Sequence, residues 1–108
     1  MSRHIVYKDP TTLVTVGFDK PLQLIFVQVE QDFSPDPDIE PEVFDFNFEL
    51  VNIPIVKAIN LCRAVVTEHG SIATTIWDSV AQCLLEESFT QDPVKCNRTI
   101  DWTKGVPM

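Results

Sequence analysis

Cys62 and His69 are the first pair in this sequence whose types could support nucleophilic chemistry. They stand seven residues apart, two turns of a helix, and an imidazole so placed can draw a proton from a thiol. The simpler reading is structural. Cys62 falls on the apolar stripe Ile55, Ile59, Cys62 and Val66, where a thiol is normally an inert core residue. His4 and His69 are the only histidines, and neither stands in a recognisable acid–base arrangement. No Gly-x-Ser-x-Gly is present, and three glycines in all leave no loop to cradle a phosphate. Cys62, Cys83 and Cys96 are too far apart for a zinc knuckle. Odd in number and without a close pair, they read as reduced thiols rather than a disulfide framework. The expectation is a non-enzymatic protein with no metal and no cofactor.

Carboxylates are the chemistry that remains. Glu30, Asp32, Asp36, Asp38, Glu40, Glu42, Asp45 and Glu49 lie between Lys20 and Lys57, with no basic residue among them. They are eight of the 16 acids, and all 8 bases lie elsewhere, so this window carries the whole formal charge of −8. As calcium ligands the acids lack the glycine turn and the spacing of an EF-hand. The stretch Gln31–Glu42 also holds Pro35, Pro37 and Pro41 and has too little apolar surface to offset its ordering entropy. It reads as an extended, mobile loop.

Two functions fit such a window. The bland one is a solubilising loop and a solvated strand face. The active one is a docking surface for a protein partner, a basic one by charge, contacted by Asp32, Asp36, Asp38, Glu40, Glu42, Asp45 and Glu49. Carboxylates standing in for phosphates would make the protein a nucleic-acid-mimicking inhibitor of a basic DNA- or RNA-binding enzyme, of anti-restriction or anti-CRISPR type. That version rests on charge analogy alone. A third reading is an enzyme subunit whose site a partner completes. Direct binding to nucleic acid or an anionic membrane is disfavoured, because it needs clustered Lys and Arg.

The elements that must position these carboxylates are legible as periods. His4–Lys8 reads as a first strand. Val14, Val16 and Phe18 share the apolar face of a second, and Gly17 within it signals a bulge or a close backbone approach. The run Leu22–Val29 is the most apolar and reads as a central strand, with both faces largely apolar. Val43–Leu50 alternates, with Phe44, Phe46, Phe48 and Leu50 inward and Asp45, Asn47 and Glu49 outward. Two amphipathic helices follow, the first capped by Asn52 and ended at Gly70, the second capped by Ser71 or Thr75 and ended near Glu87 or Ser88. A short strand is expected within Thr99–Trp102. The whole is an α+β domain over residues 1–108: a mostly antiparallel four-stranded sheet in the order β-β-β-loop-β, then a two-helix hairpin on one face. Apolar strand surface beyond what one helix pair covers would allow a homodimer.

Between the second and third strands stands Gly17-Phe18-Asp19-Lys20-Pro21-Leu22-Gln23. It resembles a Gly-Trp/Phe-Asp-Arg/Lys-Pro-Leu-Gln pattern of small bacterial proteins of uncharacterised function. The resemblance covers about the first third of the chain and implies a bacterial or mobile-element origin, with no activity attached. Physically the segment is a hairpin turn in which Asp19 bonds its own backbone and Pro21 launches the next strand. Asp19, Lys20 and Gln23, polar and held on that turn, form a second candidate contact surface. The first residues lack the apolar run of a secretion signal, and no segment reaches the roughly 20 apolar residues of a membrane span. A cytoplasmic protein is expected.

Overall fold

Strand-forming residues crowd the first half of the chain and helical stripes the second. The computed structural model, which describes residues 1–31, 38 and 42–103, follows that division. In chain order the elements are β1 (Arg3–Lys8), β2 (Thr12–Asp19), β3 (Leu24–Gln31), β4 (Glu42–Glu49), α1 (Ile55–His69), α2 (Thr74–Phe89), the short helix α3 (Pro93–Cys96) and β5 (Thr99–Asp101). The architecture is α+β, with α1 and α2 packed on one face of a sheet.

The sheet has five strands in the order β4-β3-β2-β1-β5. This corrects the four-stranded expectation. β1 to β4 pair antiparallel, but β5 lies parallel beside β1, so the sheet is mixed. Three residues are too few to display a period. β5 also reaches β1 only after β2 to β4 and all the helices, the helical segment carrying the chain from β4 at one edge to β5 at the other.

The core lies where the β2–β3 ladder faces the helices. Val14 pairs with Val29, Val16 with Val27 and Phe18 with Ile25, and all six are fully buried. Each such side chain stabilises the fold by roughly 1.5–3 kcal/mol. α1 lies across β3 and also touches β2 and β4, while α2 rests on β2. Ala58, Ile59, Cys62 and Val66 descend from α1, and Trp77, Val80 and Leu84 from α2.

Two glycines are set by close approach. A Cβ on Gly17 would strike the Ser2 carbonyl and the Phe26 ring, which lies over its cross-strand partner. The strand irregularity falls instead in β1, between Ile5 and Tyr7. Gly70 does end α1, yet its backbone is extended rather than left-handed, and the Tyr7 ring fills the space a side chain would need. The caps differ from expectation. α1 begins after Pro54, and the Asn52 amide donates to Glu49 instead. α2 begins after Ala73, with no side-chain cap from Ser71 or Thr75. Tertiary packing of the stripes makes such caps dispensable.

Candidate functional site

The acidic strand is an edge. β4 pairs with β3 on one side, and among the described residues nothing pairs with the other. Register and one terminal bond fix which groups point outward. Leu50 N–H donates to the Gln23 carbonyl at 2.9 Å, and Leu24 stands opposite Glu49. Bonding alternates along an antiparallel ladder, so Phe48, Phe46 and Phe44 bond inward to β3. Val43, Asp45, Asn47 and Glu49 therefore turn their N–H and C=O groups away from the sheet. Edge position also explains why Phe44 is 40% exposed although it lies on the helix side. Its ring stacks on His69 at 6.5 Å between centroids, and Phe46 meets the same imidazole at 6.2 Å.

Glu42, Asp45 and Glu49 are exposed on this strand. Asp45 accepts from the Gln28 amide at 3.1 Å and Glu49 from the Asn52 amide at 3.1 Å. Among the described residues none of the three carboxylates meets a cation. Beside them, on the face of the sheet away from the helices, lies a shallow cavity of about 210 Å³ whose apolar wall includes Leu22, Leu24 and Phe26 and whose polar rim includes Arg3, Asp19 and Asp45. Asp38 is exposed in a turn. Asp32, Asp36 and Glu40 lie outside the described residues, as does most of the Pro-rich loop.

The turn residues have internal work. Asp19 accepts from Leu22 N–H. The Lys20 ammonium donates to the Thr90 carbonyl, where the cation complements the C-terminal end of α2. Gln23 takes a positive φ of 51° and steadies it by donating its amide to the Lys20 carbonyl at 2.8 Å. The structure thus brings Asp19 near Asp45 at the cavity rim but ties Gln23 into the hairpin and the Lys20 side chain to the end of α2.

A second polar cluster escaped the sequence reading. Glu87, fully buried, accepts from Ser2 Oγ at 2.5 Å, from His4 Nε2 at 2.8 Å and from Arg98 Nε at 3.0 Å. Trp102 Nε1 donates to His4 Nδ1 at 3.0 Å. Indole nitrogen can only donate, so Nδ1 holds the lone pair, Nε2 holds the proton, and His4 is a neutral donor to the carboxylate. Burial pushes the Glu87 carboxyl up, but the hydrogen bonds from His4 and Ser2, with that of Arg98 behind them, outweigh it and hold it below the ordinary glutamate range. Serine, histidine and glutamate together suggest a hydrolytic triad, yet the wiring is wrong. Ser2 Oγ donates to the carboxylate rather than to the imidazole, and it also accepts from Phe18 N–H at 3.0 Å. The one free imidazole lone pair is spent on Trp102, and Ser2, His4 and Glu87 are all sealed from solvent. The cluster is a clasp joining β1, α2 and the segment after α3. One signal for it existed: Glu87 follows Val80 and Leu84 on the apolar stripe of α2, where a carboxylate demands partners.

Cys62 and His69 do not meet as a catalytic pair. Cys62 is buried, and burial pushes its thiol up to about 12; His69 packs on the β4 phenylalanines. Among the described residues no three His, Cys, Asp or Glu side chains converge to hold a metal, and no helix is long and apolar enough to cross a membrane. No family model, curated protein or solved structure matches the chain.

Proposed function

We propose that the protein acts without catalysis, by holding a basic protein partner against β4 and the sheet face beside it. The observation that carries this reading is the set of exposed carboxylates on the outer strand, Glu42, Asp45 and Glu49, with no cationic partner among the described residues. An unpaired surface charge of one sign steers and selects a partner of the other. The nucleic-acid-mimic version draws less support. Asn47 separates Asp45 from Glu49, so the described part of the row is sparser than a phosphate backbone. A bacterial or mobile-element origin belongs to the same proposal and rests on the Gly17–Gln23 resemblance.

The test is a comparative pull-down from the native host, with wild type and the Asp45→Asn/Glu49→Gln double variant as baits. A specific partner retained by wild type, released as salt rises and lost by an equally folded variant supports the reading. Equal retention by both baits overturns it.

A further inference from the structure

We propose that the basic partner binds by adding a strand to β4, an inference that rests on the docking reading above and specifies its geometry. Three features of one edge point the same way. The outward N–H and C=O groups of Val43, Asp45 and Asn47, with the Glu49 N–H, are spaced to receive an extended backbone, as in peptide recognition by β-augmentation; the Glu49 carbonyl is taken by the Asn52 and Ile53 N–H groups of the following turn. On the sheet face away from the helices, Asp45 and Glu49 stand two and six residues beyond Val43, opposite side chains on the same face of an added strand. On the helix side the edge is apolar and open. Phe44 is 40% exposed, and Leu61, 37% exposed, lies on the α1 ridge of Leu61, Val65 and His69 whose last member packs on Phe44.

The chemistry of the occupant follows. It is an extended segment in which Lys or Arg alternates with an apolar residue. The cations meet Asp45 and Glu49, and the apolar side chains meet Phe44 and the α1 ridge. A second copy of this chain fits worse. Pairing β4 with itself about Asn47 sets Asp45 against Glu49 twice, between chains that each carry −8.

The probe is a fluorescein-labelled ten-residue peptide alternating Lys with Val and Thr, compared by fluorescence anisotropy with an isomer that carries its lysines in one block. Wild type should bind the alternating peptide about tenfold more tightly than the block isomer. Asn47→Pro removes an outward donor while leaving the bonds to β3, a position where an edge strand tolerates proline. It should weaken the alternating peptide about tenfold. Asp45→Asn/Glu49→Gln should also weaken it and flatten the salt dependence. Undiminished binding by Asn47→Pro, with binding lost in the charge variant, overturns strand addition and leaves the acidic docking reading standing. Undiminished binding by both variants sinks the two together. Amide exchange keeps the proposal testable should Asn47→Pro misfold: bound peptide should slow exchange at Val43, Asp45, Asn47 and Glu49 of wild type, and unslowed exchange there overturns it. The same protection appearing without peptide, at doubled mass, assigns the edge to a second copy and overturns the basic occupant.

Discussion

Glu87 and Asp45 are carboxylates on regular elements of one small protein, and they live under opposite rules. Glu87 is sealed, and three donors converge on it. Asp45 is exposed and takes one amide. A buried charge is tolerated only when nearly every acceptor position is filled. An exposed one is kept by water and needs no partner inside the molecule. The contrast separates two kinds of polar residue: the clasp is spent on holding three distant segments together, whereas the edge acids contribute little to folding and are available to something else.

The strongest way to break the comparison is to empty the clasp. Glu87→Ala strands a buried imidazole, a hydroxyl and a guanidinium, and should destabilise the protein by about 3–5 kcal/mol in urea titrations. A loss under 1 kcal/mol would show that the clasp does not hold the fold together.

Trp102→Phe is the gentler cut. It keeps an aromatic ring beside His4 but removes the donor to Nδ1. Leaving that acceptor unpaired should cost about 1–3 kcal/mol. Because His4 would then be free to switch tautomer, its ring NMR signals should move as well, which mere loss of packing would not require.

What could be read from residues alone follows the same divide. The alternation of Phe44, Phe46 and Phe48 and the stripes of α1 and α2 were legible because burial imposes a local period. β5 was faint because three residues carry no period, and its neighbour β1 lies nearly the full chain away. The clasp was invisible for a related reason: its members are paired across 83 to 98 positions, apart from the Glu87–Arg98 contact. Only the position of Glu87 on an apolar stripe betrayed it. The edge was half legible. Composition located the acids, but that β4 ends the sheet depends on β3 turning toward β2 and β4 alone.

Acid titration sharpens the comparison. The folded Glu87 carboxyl is held below the ordinary glutamate range, so the folded state binds fewer protons than the unfolded chain in that region. Stability is then present at neutral pH and falls as pH drops through the folded value. Asp9, lowered by the Tyr7 hydroxyl and by the Thr11 and Thr12 backbone, and Glu86, lowered by Lys95, tilt the curve the same way. Glu87 is isolated by difference. Glu87→Gln should be less stable at neutral pH and should lose less on acidification than wild type, whereas parallel curves would mean that Glu87 does not titrate with folding.

The smallest effect is expected at the edge. Asp45→Asn/Glu49→Gln keeps the size of both side chains and their capacity to accept from Gln28 and Asn52. It removes two like charges from a window that contains no base. Stability should change by no more than about 0.5 kcal/mol, with relief of repulsion favouring the variant at low salt. A large loss, measured in the same urea titrations as Glu87→Ala, would mean that the edge carboxylates are structural after all. They would then be committed like Glu87, and the strand would have no charge to spare for a partner.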